Sequence, residues 1–423
     1  METQYFPVED LATFRQQALR WASRQEPVLY LNPNDLAYPH GAFRHLLAVG
    51  ARRVLPVTPQ FFDRLADFHQ GRWLFGYFGY DLKNQLERLH SHHPDRIGFP
   101  DAFFFEPLVL LFLDETRVGI GSDQPQSIYE AIRAEPRSET KATNNPVQLR
   151  ASVDRATYVQ NVAHIRQHIE EGDVYELNYC TEFFAEEATL DPLATYLALN
   201  ARSPTPFSAF LRLGERYLMC ASPERFLKKE GAHIISQPIK GTIPRSRHTM
   251  TDARLRHALY HSPKERAENM MIVDLVRNDL ARSAQPGTVQ VDELFGIYPF
   301  RHLHQMISTI SAQLRPDLSF VDAIRCAFPM GSMTGAPKIR AMALIEQYEN
   351  RRRGLFSGAV GYMTPEGDFD FNVVIRSLFY HTTTQTLSFQ VGSAITYDSV
   401  AAREWDECQL KARAIREVLE KRL

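Results

Sequence analysis

Lys240 follows the apolar Ile239 and precedes Gly241 in the run Gln237-Pro238-Ile239-Lys240-Gly241-Thr242. A lysine held in a dry pocket loses its proton more easily and can act as a nucleophile. The alternative is a loop lysine with no such role. A pyridoxal Schiff base also needs a phosphate cradle, and the chain offers no obvious one. Upstream stands Ser222-Pro223-Glu224. Downstream, Ser262-Pro263-Lys264-Glu265-Arg266-Ala267-Glu268 reads as a helix start with Ser at N-cap, Pro at N1 and Glu at N3. A capping box accounts for Glu265 without any chemistry. Glu268 lies one turn on, just before Met270-Met271-Ile272-Val273. A carboxylate entering an apolar run is costly unless it is paired or bound to a cation, so Glu268 reads either as a surface glutamate or as a ligand.

A second carboxylate group lies near the C-terminus. Cys408, Ala412, Ile415 and Leu419 form the apolar stripe of a helix, with Glu404, Glu407 and Lys411 on the neighbouring stripe at i, i+3 and i+7. One reading is an exposed Glu407–Lys411 ion pair, worth a few tenths of a kcal/mol. The other is two carboxylates and an ammonium aimed into a site. Glutamates from two separate helices can hold Mg²⁺, a hard cation that takes one or two protein carboxylates and leaves positions for water and an anionic substrate.

Three features suit anion binding. Gly331-Ser332-Met333-Thr334-Gly335-Ala336-Pro337-Lys338 is not a phosphate-binding GxxxxGK[ST] loop. Glycines before a helix with Pro at N1 nevertheless expose N–H groups where the helix dipole favours an anion. Arg376 lies on the non-apolar face of a strand expected over Asp368 to Phe379 and offers a two-pronged fork for a carboxylate. In Val391-Gly392-Ser393-Ala394 small residues permit close backbone approach. His90-Ser91-His92-His93 reads as an exposed loop. His302 and His304 alternate as strand residues, with no third zinc ligand nearby in sequence.

The elements that must position these groups are legible in part. Leu11 to Gln25 reads as a helix, and Trp73 to Tyr80 and Leu108 to Ile120 as strands. Residues 134–150 are polar and aperiodic and read as a linker. Asp154 can cap a helix with apolar positions Tyr158, Val162, Ile165 and Ile169, ended by Gly172. Thr386 to Thr396 is a second late strand, and the last helix starts near Ala401. The 423 residues are 44% hydrophobic and 23% charged, with 48 Lys+Arg against 50 Asp+Glu. Such values exclude wholesale disorder, and the net charge of -2 gives no general attraction to nucleic acid or an anionic membrane. The 4 cysteines lack CxxC spacing, so neither a disulfide framework nor a zinc knuckle is expected. With no leader-like start and no long apolar run, a soluble cytoplasmic protein is the default.

Taken in order, these segments resemble the chorismate-utilising enzymes: anthranilate synthase component I, aminodeoxychorismate synthase component I, and the isochorismate and salicylate synthases. The matching segments are Gly172-Asp173-Val174-Tyr175-Glu176-Leu177-Asn178, Ser222-Pro223-Glu224-Arg225-Phe226, Pro238-Ile239-Lys240-Gly241-Thr242 and the helix from Lys264 to Asp279. Gly331 to Lys338, Arg353 to Tyr362, Ile375-Arg376-Ser377, Asp398-Ser399 and the Glu404/Glu407/Lys411 helix complete the series. The resemblance implies an α+β fold with two antiparallel sheets packed face to face and helices outside. Residues 1–145 would be an N-terminal region like that of anthranilate synthase component I, and residues 146–423 the chorismate-binding catalytic domain. The N-terminal region would add strands to the same assembly.

Lys240 points to the aminodeoxychorismate branch, since anthranilate synthases usually carry alanine there. In that branch the lysine attacks C2 of chorismate, the C4 hydroxyl leaves, and ammonia then attacks C4 and releases the lysine. The product, 4-amino-4-deoxychorismate, is the precursor of 4-aminobenzoate and folate. By the same resemblance Glu224 matches the general acid, and Glu268 and Glu407 match the Mg²⁺ ligands with Glu265 and Glu404 close by. Arg376, the N–H groups of Gly392, Ser393 and Ala394, Ser332, Thr242 and Lys411 match the groups that bind substrate. Ammonia would come from a separate glutamine amidotransferase subunit. The alternatives are ammonia attack at C2, as in anthranilate synthesis, and an inactive paralogue that only binds an amidotransferase. The sequence departs from the family pattern at Gln305, where many relatives have histidine. Glu176 stands where the isochorismate and salicylate branch has a water-activating lysine, which argues against water as nucleophile. There is no clear Leu-Leu-Glu-Ser segment, so feedback inhibition by tryptophan is not expected.

Overall fold

The computed structural model describes residues 2–113, 117–137 and 146–420. Its strands form one long antiparallel ribbon. Glu176–Ala185, Thr386–Ile395, Ser377–His381, Arg216–Ser222, Phe207–Leu213, Val28–Asn32, Leu46–Pro56 and Ala102–Phe112 lie side by side in that order. From Ala102–Phe112 the ribbon runs on through Leu74–Phe78, Ala359–Met363, Phe369–Asn372, Arg225–Glu230, His233–Gln237, Leu303–Gln313 and Gln290–Pro299. The two halves pack face to face. Leu211 and Leu218 from one half share a buried cluster with Phe75, Leu227, Ile310 and Phe371 from the other. The register slip between Ala51 and Arg53 marks where the long strands bend, as an irregularity in an antiparallel pair does.

Helices cover the outer faces. A second core lies under Leu11–Ala22, Arg155–Glu170, Pro192–Arg202, Lys338–Tyr348 and Ala401–Leu419, holding Phe14, Tyr158, Tyr196, Leu344 and Cys408. Asp154 caps Arg155–Glu170 by accepting from the Thr157 N–H at 2.8 Å, and Gly172 follows at φ +85°. Cys408, Ala412, Ile415 and Leu419 are all buried, as their spacing predicts. The expected α+β architecture of two packed antiparallel sheets with helices outside is the one found.

Several local expectations need correction. Leu108 to Ile120 is not one strand: Ala102–Phe112 and Arg117–Gly121 pair with each other, and 114–116 lie outside the described residues. Asp368 to Phe379 is likewise two strands, Phe369–Asn372 and Ser377–His381, with 373–376 bent between them. Its alternation does not separate core from solvent. Asp370 and Asn372 are as buried as Phe369 and Phe371, because Asp370 pairs with Arg225 and Asn372 bonds to the Val360 N–H and the Phe207 carbonyl. Of the stretch read as a linker, 138–145 lie outside the described residues, and Val147 is buried with its N–H on the Leu419 carbonyl. Val28–Asn32 pairs with Phe207–Leu213 and Leu74–Phe78 with Ala359–Met363, so strands from both sides of residue 145 share the ribbon. Among the described residues no helix is long and apolar enough to cross a membrane.

Candidate active site

Lys240 lies in the strand Ile239–Pro244, within a register slip against Leu303–Gln313. The slip turns its side chain toward the start of Glu176–Ala185, and the Lys240 ammonium bonds Glu176 Oε1 at 2.6 Å. Glu176 is held close. A Cβ on Gly335 would sit 2.1 Å from the Glu176 carbonyl oxygen, so only glycine allows the pairing of Gly335–Ala336 with this strand. The Lys240 side chain is 11% exposed. The sequence leaves the resting charge of Lys240 open. Burial does work against the ammonium, but Glu176, Glu268 and Glu224 together outweigh it and hold the lysine pKa above its ordinary value.

Glu224 is a buried carboxyl within the field of Lys240. It follows the strand Arg216–Ser222 and is 4% exposed, and burial pushes its carboxyl up to about 7 against the pull of Ser332, Lys240 and Lys411. The buried Ser332 hydroxyl beside it has no well-formed hydrogen bond. An orphaned buried hydroxyl is costly, and a ligand oxygen would satisfy it. A small cavity runs beneath Glu224 and Ser332 toward Val276 and Met330.

The helix Pro263–Ala281 brings the first carboxylates. Ser262 caps it by accepting from the Glu265 N–H at 3.4 Å. The expected capping box is only half formed, because the Glu265 carboxylate faces Gly241, where an added Cβ would lie 3.1 Å from Oε2. Gly241 has φ +100°, so it supplies both the backbone turn and the room for that carboxylate. Burial raises the Glu265 and Glu268 carboxyls, Glu268 to about 7 even with Lys240 and Lys264 nearby. From the helix Ala401–Leu419, Glu404 is buried and Glu407 is paired with Lys411 at 2.6 Å. Burial opposes the Glu407 charge, yet Lys411 overcomes it and holds this carboxyl below its usual range. The Lys264 ammonium is within electrostatic reach of Glu268, Glu265, Glu404 and Glu407, so carboxylates of both helices come near one opening.

That donor set fits a hard divalent cation. It is all carboxylate, burial pushes two of its members toward protonation, and one or two protein carboxylates suffice for Mg²⁺. No three of these oxygens crowd together. Among the described residues the one trio of donor atoms within 4.8 Å is His168, Glu171 and Asp173. There His168 already bonds Asp173 and Tyr348, and Arg340 bonds Asp173, so the trio is a hydrogen-bond cluster.

The anion-binding candidates are sorted by the fold. Arg376 sits in the bend before Ser377–His381 at φ +53°, not on a strand face. A non-glycine residue in this region is strained, and such strain gathers at functional sites. Its guanidinium donates to the Lys411 carbonyl at 3.4 Å, and the Lys411 ammonium donates to the Gly392 carbonyl at 2.8 Å. Arg376, Lys411, Glu407 and Gly392 therefore meet. Gly392 and Ala394 are half-buried, whereas the Ser393 side chain turns to the core and meets Tyr158 Oη at 3.2 Å. Gly331 to Lys338 is not an open cradle. Pro337 is the N-cap rather than N1, the Met333 and Thr334 N–H groups bond to Met330 and Gly331, and Lys338 pairs with Asp279 at 2.7 Å. Thr242 is exposed and lies opposite Gln305. Gln305 is buried with its amide oxygen unpaired. His304 bonds Asp252 at 3.0 Å, His302 precedes the strand, and His93 of the histidine-rich loop bonds the Glu346 carbonyl.

Two residues escaped the sequence reading. Asn269, fully buried beside Glu268, donates to the Lys240 carbonyl at 3.3 Å and accepts from the Ser308 hydroxyl at 2.6 Å. Ser308 in turn accepts from the Phe295 N–H, so its single proton must go to Asn269, and the amide is fixed with its NH₂ on Lys240. The sequence signal was a polar residue opening an apolar run. Glu176 was visible only as a departure from a family pattern, not as a partner of Lys240.

A model of the chorismate binding enzymes matches residues 43–417. Aminodeoxychorismate synthase component 1 of Klebsiella aerogenes is 38% identical over 349 residues, 82% of this chain and 76% of the relative. Aminodeoxychorismate synthase of Streptomyces griseus is 43% identical over 374 residues, 82% of this chain and 50% of that longer protein. Anthranilate synthase component 1 of Thermus thermophilus is 34% identical over 82% of this chain and 77% of its own. Among solved structures, anthranilate synthase component I of Streptococcus pneumoniae superposes with TM-score 0.77 at 23% identity, covering 98% of this chain and 92% of that one. The menaquinone-specific isochorismate synthase of Escherichia coli gives 0.79 at 18%, covering 99% and 94%. The likeness to both carries the fold, and the family match spans the groups gathered around Lys240: the chain belongs to the chorismate-binding enzyme family.

Proposed function

We propose that this protein aminates chorismate at C4 with ammonia, giving 4-amino-4-deoxychorismate through a covalent Lys240 adduct at C2. The observation that carries the reading is the Lys240 amine itself, buried at the centre of the site within the field of Glu176, Glu224 and Glu268. Displacement at C4 by way of C2 takes two allylic steps, and a lysine nucleophile makes both possible. Glu224 keeps enough of its proton near neutrality to give it to the departing C4 hydroxyl. Arg376, with the Gly392 to Ala394 strand edge, orients a substrate carboxylate, and Lys411 holds that edge through the Gly392 carbonyl. Mg²⁺ held by Glu268 and Glu407, with Glu265 and Glu404 beside them, would neutralise the ring carboxylate and make C2 electrophilic. The name component 1 carried by the relatives fits a chain that receives ammonia from a separate glutamine amidotransferase.

The test is a product assay with chorismate, Mg²⁺ and an ammonium salt at mildly alkaline pH. Aminodeoxychorismate, convertible to 4-aminobenzoate by added lyase, is the expected product. Lys240→Ala removes it or redirects ammonia to C2, and an unchanged C4 rate in that variant sinks the proposal. The 34% identity with an anthranilate synthase component 1 favours a second reading, ammonia attack at C2. Fluorescent anthranilate from the wild-type protein would establish it.

A further inference from the structure

Lys240 stands as an ammonium in the resting site, and an ammonium has no lone pair with which to attack carbon. The nucleophile proposed above therefore needs a proton acceptor. Among the described residues Glu176 is the one carboxylate within 4.0 Å of the Lys240 ammonium, at 2.6 Å. Other charged groups face Lys240 from further off. Glu224 lies before the strand Arg225–Glu230, Glu265 and Glu268 on the helix Pro263–Ala281, and Glu407 on the C-terminal helix. Glu224 is committed to the departing hydroxyl, and the glutamates of the two helices line the cation opening. Glu176 is 5% exposed, on a strand whose backbone is pinned by Gly335 and Ala336, so its carboxylate is a fixed acceptor rather than a mobile one.

From this geometry we propose that Glu176 is the catalytic base that takes the proton of Lys240 and returns it at the end of each turnover. The inference rests on the C4-amination reading. In the first step one proton passes from Nζ to the Glu176 carboxylate, leaving a neutral amine and a carboxylic acid. The amine forms the bond to C2, the two conjugated ring double bonds shift in concert away from C2 toward C4, and the C4–O bond breaks as Glu224 protonates the oxygen to water. The adduct is a secondary ammonium. Ammonia then bonds to C4, both double bonds shift back, and the C2–N bond breaks, releasing Lys240 as a neutral amine. The new C4 ammonium gives a proton to the Glu224 carboxylate, and Glu176 gives its proton back to Lys240. Chorismate and ammonia become the amino product and water, and both glutamates end as they began.

The experiment compares wild type, Glu176→Gln and Glu176→Asp in two measurements. One is the pH dependence of Lys240 acylation by a small amine reagent without substrate, read by peptide mass spectrometry. The other is C4 amination of chorismate against pH. In Glu176→Gln the acylation midpoint is expected to fall by at least one pH unit, while C4 amination falls at least a hundredfold. Glu176→Asp, which keeps a carboxylate one methylene short, is expected to recover part of the rate. An unmoved acylation midpoint overturns the proposal. So does a midpoint that falls while amination is unchanged or faster, because Glu176 would then merely restrain the lysine. If Glu176→Gln does not fold, Glu176→Asp decides: its rate must fall at least tenfold, with the pH profile displaced. Wild-type protein that makes no C4 product would instead refute the reading on which the inference rests, and the acylation measurement would still report on the ion pair.

Discussion

Replacing Glu224 by Gln should damage activity and increase stability, and the two effects share one cause. Burial lifts the Glu224 carboxyl from an ordinary 4.5 to about 7. At pH 7 about half the molecules then carry the proton, against about 1 in 300 for an unperturbed glutamate. In the proposed reaction that proton goes to the C4 hydroxyl, and losing a general acid costs roughly 10²- to 10⁴-fold in rate. The folded pKa lies above the unfolded one, so the native state binds more protons across the window from about 4.5 to about 7. Stability is therefore lost as pH rises through that window, and the loss is complete above it. The two pKa values place it at about 3 kcal/mol by pH 8 and under about 1 kcal/mol at pH 5. Gln has the same shape and no charge to bury, so Glu224→Gln should escape that loss. Its urea midpoint should exceed the wild-type value at pH 8 and approach it at pH 5, in metal-free buffer. C4 amination, followed by coupled conversion to 4-aminobenzoate, should fall at least about a hundredfold. A variant less stable than wild type at pH 8, or one that keeps its rate within about tenfold, would refute this account of Glu224.

Other perturbations test other parts of the site. Chelation should abolish turnover and leave the far-UV circular dichroism unchanged, because Pro263–Ala281 is anchored through Ile272, Val273 and Val276 rather than through its glutamates. Glu268→Gln and Glu407→Gln should each raise the half-saturating Mg²⁺ concentration by at least about tenfold, read from rate against Mg²⁺. Gly392→Ala would place a Cβ 2.4 Å from Cys180 Sγ and 2.6 Å from the Tyr179 carbonyl. The strand must move, so stability should fall by about 1–3 kcal/mol in denaturant and the chorismate KM should rise. Arg225→Leu leaves Asp370 buried without its two 2.9 Å bonds and should cost about 3–5 kcal/mol. Adding Asp370→Asn to that variant should restore part of the loss.

The reach of the sequence followed from where its physics is local. Asp154, Gly172 and the stripe from Cys408 to Leu419 act within one helix, and each appears where its spacing put it. The late strand broke the rule because its polar face is buried too. Period-two alternation identifies a half-exposed strand, and Asp370 and Asn372 satisfy their groups on Arg225 and on backbone from distant segments. The bend at Arg376 is likewise a tertiary outcome, since no residue in Ile375-Arg376-Ser377 demands a positive φ. Lys240 was found by its motif, but the motif leaves its charge state open. Dryness alone lowers a lysine pKa, and the deciding carboxylates come from three other segments of chain. Gly331 to Lys338 misled for a different reason. Gly335 serves close packing against Glu176–Ala185 and Gly331 against Leu275 and Ile272, so they report a close approach and not an anion.

The helix Pro263–Ala281 would keep the proposed nucleophile and cation opening in register. Glu265 and Glu268 leave it toward the opening, and Asn269 leaves it toward the Lys240 carbonyl. Ile272, Val273 and Val276 leave it toward the core between the sheets. A shift of this helix would thus move the cation ligands and the Lys240 backbone together. The Ser308 hydroxyl fixes the Asn269 amide from Leu303–Gln313, the same strand that pairs with the Lys240 strand. Lys240 is therefore located by backbone on both sides while its side chain remains free to leave Glu176 for carbon. A two-step displacement needs that combination, because the same amine must reach C2, depart from it, and find its proton acceptor again.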